Sequence, residues 1–336
     1  MEPDDELVSS MSPVVAQQQH TLESMDAAKA TAKPDGSFGG VTAEWRLELY
    51  RKLRKYGAVL VHHSGGHSGI TLSLEHDADS QARTFEKIFG ASLFDSDYGK
   101  AWLTQGYGVA EEDLPKQDRS MSWLADRIEA KASKRLEQHT DSSFWSTPGS
   151  VQMFHMVRPS DTGGETTLVD GIAVAEALQR EDPGGYDALC THRVVFKYKP
   201  AGHPDYHLSS ATVLRRDPVS RRIIQVRWSN KDRSVQPAPA EGGADVQGTE
   251  TWYRAYRRFA ALMDDPAYRV RIPLKPGTIL VFDNWRIAHG RESFVGHRSL
   301  WGGYFLRDSW DSKQRLLEDA ELSGGLQKVR CSCLAP

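Results

Sequence analysis

The chain has few cysteines: Cys190, Cys331 and Cys333 are the only three among 336 residues. Three cysteines cannot form the disulfide framework of a small secreted domain, and a chain of this length does not need one. The first residues, Met-Glu-Pro-Asp-Asp-Glu, contain no apolar run and no arginine bias, which argues against a secretory signal or a mitochondrial presequence. We therefore expect an intracellular, cytoplasmic protein.

Long apolar runs and a basic excess are also missing. Runs such as 57–61 and 278–282 have the length of strands, whereas a membrane-spanning helix needs about 20 residues. The formal net charge is -3, with both signs interspersed, unlike the concentrated basic surface of nucleic-acid-binding proteins. Arg254, Arg257 and Arg258 lie in a segment of helical periodicity and fit the exposed face of an amphipathic helix. Neither a membrane nor a nucleic acid is an expected partner.

Composition divides the chain into three parts. Residues 1–38 are rich in Gln, Ser, Ala and Asp and have almost no aromatic side chains. Such a segment cannot bury enough surface to offset the entropy lost on ordering, so we expect a disordered tail. Residues 39–325 are expected to form a single domain, and 326–336 a C-terminal tail.

Within the domain, apolar periodicity predicts helices, and short apolar runs predict strands. The helices are expected at 42–56, 84–89, 126–136, 172–179 and 250–263. The strands are expected at 57–63, 151–157, 166–169, 193–198, 222–227, 269–272, 278–282 and 299–306. Many short strands separated by Gly and Pro favour a sandwich or barrel over a parallel wound sheet. We therefore predict a mainly β fold with flanking helices.

The first candidate site is the stretch His139-Thr-Asp141. Alternate residues of an extended chain point to the same side, so both side chains can reach one metal ion. A His-x-Asp pair also arises by chance, and on its own it is equally well a hydrogen-bonded pair in a turn.

A second candidate lies much later in the chain, where a Pro276-Gly277 turn leads into an apolar strand and His289 follows on the next short strand. A sandwich can place this histidine beside the first pair. Two imidazoles and one carboxylate on one face of a metal leave positions open, as in non-haem Fe(II) oxygenases. A zinc hydrolase uses similar ligands, but it would want a further carboxylate to activate water, and none is evident.

Arg298 leads into the predicted strand after His289. A planar guanidinium beside a metal can bind a carboxylate through two parallel hydrogen bonds. The alternative is a surface arginine that pairs with a nearby acid.

Together these features resemble the TauD-like family of Fe(II)/2-oxoglutarate-dependent dioxygenases, and within it most the trimethyllysine and γ-butyrobetaine dioxygenase branch. The matching blocks are His139-Thr-Asp141, Gly163-Gly-Glu-Thr-Thr-Leu-Val-Asp-Gly171, Phe282-Asp-Asn-Trp-Arg-Ile-Ala-His-Gly-Arg291, and Arg298 leading into Gly302-Gly-Tyr304. The resemblance implies a double-stranded β-helix, or jelly-roll, with Fe(II), 2-oxoglutarate and O2 as cofactors. It further implies that His139, Asp141 and His289 bind the iron, and that Arg298, helped by Thr166, binds the distal carboxylate of 2-oxoglutarate.

Two departures from that branch bear on the substrate. The branch carries an N-terminal zinc module with Cys and His ligands, whereas residues 1–56 contain no cysteine. The branch also holds a trimethylammonium group in an aromatic cage. Tyr304 matches one wall of that cage, but Lys131 stands where another wall is aromatic, and a lysine would repel a quaternary ammonium. Lys131 either lies on a helix surface without a role or binds a carboxylate or phosphate of a different substrate.

Further candidates for substrate contact are Phe144, Trp285 and, by loose correspondence with the branch, Asn230; aromatic residues near a motif also occur often in a core. The main hypothesis is an oxygenase that hydroxylates, cyclises or desaturates a small amino acid or carboxylate, in secondary metabolism. The alternatives are trimethyllysine or γ-butyrobetaine hydroxylation and a non-catalytic metal-binding jelly-roll. The oligomeric state, a homodimer included, stays open.

Overall fold

The computed structural model describes residues 24–26, 41–62, 77–108, 134–199, 205–234 and 246–325. Within these ranges the chain is mainly β with helices, as predicted. The N-terminal segment 1–38 lies outside them, except for the short strand β1 (Ser24–Asp26). The C-terminal segment 326–336 also lies outside them.

The larger of the two main sheets has seven strands. Six follow in the order β1, β2 (Ala58–His62), β13 (Ile279–Asp283), β5 (Val151–Arg158), β15 (Phe294–Phe305) and β3 (Trp102–Gly108), and β6 (Thr162–Gly163) pairs with β15 beside this path. Only the β1–β2 pairing is parallel.

The second main sheet has four antiparallel strands. They are β12 (Arg269–Ile272), β7 (Thr166–Asp170), β14 (Ile287–Arg291) and β4 (Leu136–His139), in this order. Two hairpins complete the strands: β8 (Arg193–Tyr198) with β9 (His207–Thr212), and β10 (Leu214–Arg216) with β11 (Ile223–Val226).

The two main sheets pack face to face around a small apolar core. Leu280 and Leu300 of the larger sheet and Leu168 and Ile287 of the smaller one belong to the same buried cluster. Val281, the neighbour of Leu280 on β13, belongs to a different cluster on the opposite face of its sheet. Successive side chains of a strand point to opposite faces, so the continuous apolar runs of the sequence bury both faces.

Three helices cover the outer face of the seven-stranded sheet. They are α1 (Ala43–Tyr56), α2 (Ala78–Phe89) and α6 (Arg307–Leu322). The Thr42 hydroxyl oxygen accepts a hydrogen bond from the Trp45 backbone N–H at 3.2 Å and starts α1. Gly57, at φ 81°, ends it in the left-handed conformation that glycine adopts without strain. Trp310 of α6 is buried in the cluster that these helices share with the sheet.

Three more helices cover the outer face of the four-stranded sheet. They are α3 (Gly171–Glu181), α4 (Pro183–Thr191) and α5 (Val246–Asp264). Val169 and Ala288 of the sheet pack with apolar side chains of these three helices in one buried cluster. Arg254, Arg257 and Arg258 are exposed on α5, as the amphipathic pattern predicted. No helix in the described ranges is long and apolar enough to cross a bilayer.

Several elements differ from the sequence-based expectation. The strands β1, β3, β6, β9 and β10 and the helices α4 and α6 were not predicted, and α2 begins six residues before the expected start at residue 84. Of the predicted helix 126–136, residues 126–133 lie outside the described ranges. Its last residue, Leu136, is instead in β4, because it pairs opposite Arg291 of β14. The helix prediction is therefore wrong at this end.

Candidate metal centre

The two histidines of the predicted triad stand opposite each other on neighbouring strands. His139 ends β4, His289 lies in β14, and the antiparallel register pairs them directly. Their ring centroids are 4.4 Å apart. His289 is buried and His139 is half-buried. The four-stranded sheet thus brings together two side chains that are far apart in the sequence.

Asp141 follows two residues after the end of β4, in a loop that Asn284 holds in place. The Asp141 backbone N–H donates to Asn284 Oδ1 at 2.9 Å. Asn284 Nδ2 in turn donates to the carbonyl oxygens of Asp141 at 3.2 Å and Gly149 at 2.8 Å. Ser142 then turns the chain through the left-handed region, at φ 57°. The Asp141 carboxylate is thereby fixed beside the two histidines.

The potential ligand atoms converge. His139 Nε2 lies 3.2 Å from Asp141 Oδ1, and His289 Nε2 lies 3.5 Å from Asp141 Oδ2. His139 Nδ1 lies 2.8 Å from the carbonyl oxygen of Glu137. Because a carbonyl only accepts, Nδ1 carries a proton, and Nε2 is the nitrogen that could bind a metal once it is deprotonated. Two imidazole nitrogens and one carboxylate oxygen form a set that could hold Fe(II).

The charges of the triad keep the carboxylate ionised. Burial on its own would raise the pKa of Asp141, but the two imidazoles outweigh burial and hold that pKa well below its usual range. Burial opposes the charged form of His139, yet the hydrogen bond to Asp141 raises its pKa. Burial and the neighbouring His139 charge lower the pKa of His289. The lowered pKa values of Asp141 and His289 favour an ionised carboxylate and a neutral imidazole, the forms in which these two groups bind a metal.

Two side chains of the seven-stranded sheet hold the other side of the Asp141 carboxylate. Gln152 Nε2 and the Tyr304 hydroxyl each donate to Asp141 Oδ2 at 2.7 Å. They are cross-strand neighbours on β5 and β15, and both are buried. Sequence reasoning missed Gln152. The available signal was a polar residue inside a buried apolar run, because such a side chain needs a hydrogen-bonding partner.

Arg298 lies on the face of β15 that points into the space between the sheets, as Leu300 does. It is 7% exposed, and in the described ranges no carboxylate pairs with it. Burial, reinforced by the charge of Arg291, lowers the pKa of Arg298 to about 9. A buried guanidinium without an acid favours an anionic ligand. Arg298 is therefore not a surface arginine, and its pairing with an acid is not seen among the described residues.

Thr166 lies at the same end of the space between the sheets. It is buried and pairs opposite Arg291, which follows His289 by two residues on the same face of β14. Gly164 adopts φ 77°, and a Cβ atom there would lie 3.5 Å from Arg298 Cδ. The Gly-Gly turn therefore lies directly beside the Arg298 side chain. Sequence reasoning missed Arg291 as a neighbour of Arg298.

An aromatic wall extends from Tyr304 away from the triad. The ring of Tyr304 lies 4.7 Å from that of Trp102. Tyr98 continues the wall, although it is 52% exposed: its ring lies 6.0 Å from that of Trp102, and its hydroxyl lies 3.5 Å from the Tyr198 hydroxyl. The wall consists of Tyr98, Trp102, Phe144, Trp145, Tyr198 and Tyr304.

Of the predicted substrate contacts, Phe144 and Tyr304 belong to this wall. Trp285 makes other contacts: its indole N–H donates to a backbone carbonyl at 3.0 Å, and the Arg307 guanidinium lies 4.7 Å from its ring centre. Asn230 is exposed, and its Oδ1 accepts a hydrogen bond from the Tyr256 hydroxyl at 2.8 Å. Lys131 lies outside the described residues. All five stay predictions as substrate contacts.

Known proteins resemble the chain in sequence. The sequence model of the taurine catabolism dioxygenase TauD, TfdA family matches residues 43–304. The mitochondrial trimethyllysine dioxygenase of Bos taurus is 35% identical over 223 residues, which cover 66% of this chain and 48% of that protein. The γ-butyrobetaine dioxygenase of a Pseudomonas species is 34% identical over 186 residues, 54% of this chain and 46% of that protein. The chain spans about half the length of these curated relatives.

Solved structures resemble it in fold. PvcB from Pseudomonas aeruginosa has a TM-score of 0.51 at 18% identity and covers 82% of this chain and 84% of its own. AAD-2, solved with Mn(II) and N-oxalylglycine, has a TM-score of 0.51 at 16% identity, with 84% of this chain and 92% of its own covered. The family match spans most of the chain, including the triad and Arg298. The chain therefore belongs to the TauD/TfdA family of dioxygenases, as its four sequence blocks predicted.

Proposed function

We propose that the chain is an Fe(II)- and 2-oxoglutarate-dependent oxygenase with a double-stranded β-helix fold. The observation that carries the proposal is the convergence of His139 Nε2, His289 Nε2 and the Asp141 carboxylate. Two mainly antiparallel sheets that pack face to face, with the ligands between them, support the jelly-roll assignment.

Arg298 would bind the distal carboxylate of 2-oxoglutarate. Its guanidinium is buried, and no carboxylate of the described residues pairs with it, so an anion would offset an unfavourable buried charge. Thr166, opposite Arg291, would add a hydroxyl donor at the same place. With iron and 2-oxoglutarate bound, O2 would convert the co-substrate into succinate and CO2 while one oxygen atom enters a C–H bond of the substrate as hydroxyl.

The substrate we propose is a small amino acid or carboxylate. The aromatic wall offers an apolar surface next to Asp141, where such a molecule can be held close to the metal. Lys131 in place of an aromatic cage wall disfavours a quaternary ammonium substrate. The reaction is hydroxylation, in which the second oxygen atom of O2 enters the substrate, or cyclisation or desaturation, in which that oxygen atom leaves as water with two hydrogen atoms of the substrate.

A second candidate is hydroxylation of trimethyllysine or γ-butyrobetaine. The names of the curated relatives favour it. The aromatic wall also favours it, because rings bind quaternary ammonium groups through their π faces. The two candidates share the metal, the co-substrate and the reaction class, and they differ in the charge of the substrate.

The test is turnover with purified protein. Anaerobic protein is loaded with Fe(II) and 2-oxoglutarate, exposed to O2 with a panel of amino acids, other small carboxylates and the two betaines, and succinate is measured together with substrate oxidation. We expect one substrate to raise succinate above the substrate-free background with matching product. Asp141→Ala is the control, because it removes a proposed ligand.

The outcomes separate the candidates. Product from an uncharged or zwitterionic amino acid supports the first, and product only from a betaine supports the second. If iron-loaded protein forms no succinate above background with any substrate, both candidate functions are contradicted. That result favours the third hypothesis, a non-catalytic metal-binding protein.

A further inference from the structure

Asp141 receives two hydrogen bonds on the same oxygen. Gln152 Nε2 and the Tyr304 hydroxyl both donate to Oδ2 at 2.7 Å. In the described ranges, neither of these two side chains donates to Oδ1. A carboxylate oxygen has two lone pairs, so two donors of this kind occupy Oδ2. Oδ1 faces His139 Nε2 at 3.2 Å, the shorter of the two contacts with the histidines, and His289 Nε2 lies 3.5 Å from Oδ2.

The two donors are held rigidly. Gln152 and Tyr304 are direct cross-strand neighbours on β5 and β15, and they are 0% and 3% exposed. The Tyr304 ring is fixed by Trp102 at 4.7 Å. Gly149 also fits closely, because a Cβ atom there would lie 2.6 Å from the ring. Because the two donors are fixed, they determine how the Asp141 carboxylate is rotated. Mobile donors would instead move with the carboxylate.

We propose that Gln152 and Tyr304 are positioning residues that make Asp141 bind the metal through Oδ1 alone. The inference rests on the proposed function, since it assumes that the triad holds iron. A carboxylate that turned to bind through both oxygens would occupy one more coordination position. With Oδ2 held by the donor pair, Asp141 would take up a single position on the metal and leave room there for the co-substrate and O2.

Tyr304 makes contacts of two different kinds. Its ring belongs to the aromatic wall, but its hydroxyl is directed to Asp141 and not to a substrate. Tyr304 therefore joins the metal ligand to the surface that a substrate would contact. The amide orientation of Gln152 follows from the same logic, because only its NH2 group can donate to an ionised carboxylate.

The test measures metal binding and the ligand environment in three variants. Tyr304→Phe removes one donor and keeps the ring, Gln152→Met removes the other at similar length, and Tyr186→Phe removes a buried phenol hydroxyl far from the triad. The Fe(II) dissociation constant is measured anaerobically by chelator competition, and the visible absorption of the Fe(II)·2-oxoglutarate complex is recorded. Thermal unfolding of each metal-free variant checks the fold.

We expect Tyr304→Phe and Gln152→Met each to weaken Fe(II) binding by about 10- to 100-fold, as loss of a partner that orients a ligand typically does. Their absorption bands should shift, while Tyr186→Phe should match the wild type in both measurements. If Gln152→Met does not fold, Tyr304→Phe decides alone.

Two results would overturn the inference in different ways. Wild-type affinity and an unshifted band in both variants would reject the positioning pair and leave the proposed function standing. A wild-type protein that does not bind Fe(II) at all would reject the proposed function, and the pair with it.

Discussion

The two main sheets contribute different parts of the candidate centre. The four-stranded sheet carries both histidines on β4 and β14, in direct register, and Asp141 follows β4. The seven-stranded sheet contributes none of the proposed ligands. It supplies Gln152 and Tyr304, which donate to Asp141, and Arg298, which is buried with no acidic partner among the described residues.

This division shows that the centre is assembled across the space between the sheets. Ligands that share a sheet are spaced by backbone hydrogen bonds, so their separation is set by strand register. Their contact with the supporting residues is set by how the sheets pack, through the core around Leu168, Leu280 and Leu300. Substitutions at the proposed ligands should therefore have different effects from substitutions at the residues that support them.

The largest effect is expected from the ligand side. Asp141→Ala removes the only carboxylate of the triad, so the protein should lose measurable Fe(II) binding and, with it, all succinate formation. Equilibrium dialysis with metal analysis checks this, and circular dichroism checks that the fold is kept. Fe(II) bound one-to-one at wild-type affinity in the variant would show that the metal is held elsewhere.

The next effect is expected at Arg298. Arg298→Met removes a charge-assisted carboxylate contact, so affinity for 2-oxoglutarate should fall by about 10- to 100-fold. The same change replaces a buried, acid-free charge with an apolar side chain, so the melting temperature of the ligand-free protein should rise. Calorimetric titration of the metal-loaded protein and thermal unfolding measure the two quantities.

The matched control is Arg254→Met on α5. Arg254 is exposed and pairs with Asp182 at 3.3 Å, and such surface pairs contribute about 0–1 kcal/mol. It should change neither 2-oxoglutarate affinity nor, beyond that range, stability. Equal losses of 2-oxoglutarate affinity in the two variants would contradict a specific role for Arg298.

The sequence predicted the proposed metal ligands better than the partners that support them. His139, Asp141 and His289 stand in short local motifs, and β7 and β12 follow from apolar runs, whereas the start of β4 was predicted as a helix end. The partners of Asp141 depend on register, which local sequence does not contain. Gln152 pairs with Tyr304 only after a register shift between Ser299 and Leu300, and a slip of one residue would turn either side chain to the other face.

The helix α4 was missed for a different reason. Its first residues, Pro183-Gly184-Gly185, have the composition of a turn. Proline is nevertheless suited to the first turn of a helix, where its missing N–H is not needed. The Asp182 side chain caps the start by accepting from the Gly185 N–H at 2.9 Å. Packing of α4 against α3 and α5 then outweighs the weak local preference.

A smaller effect is expected from the loop that joins the sheets. Asn284→Ala removes three hydrogen bonds that hold the Asp141 and Gly149 backbones, and a buried group left unpaired costs about 1–3 kcal/mol. Fe(II) affinity should fall by about tenfold, because the ligand keeps its chemistry but loses its placement. Gln314→Ala, a buried amide on α6, is the control for stability alone.

For Asn284→Ala and Gln314→Ala, the Fe(II) dissociation constant is measured by chelator competition and the stability by denaturant unfolding. A loss of stability with an unchanged Fe(II) dissociation constant in Asn284→Ala would show that the loop does not need Asn284 to present its ligand.

The smallest effect on the metal is expected from the core between the sheets. Phe282 of β13 packs 4.9 Å from the His289 ring, whereas Phe259 of α5 is equally buried on the far side of the four-stranded sheet. Phe282→Leu and Phe259→Leu should each lower the free energy of unfolding by about 1–3 kcal/mol. Only Phe282→Leu should also weaken Fe(II) binding, by a small factor, because only it loosens the contact between the sheet of ligands and the sheet of supporting residues. If both variants weakened Fe(II) binding equally, metal affinity would follow global stability. The proposal that the two sheets contribute different parts of the centre would then be contradicted.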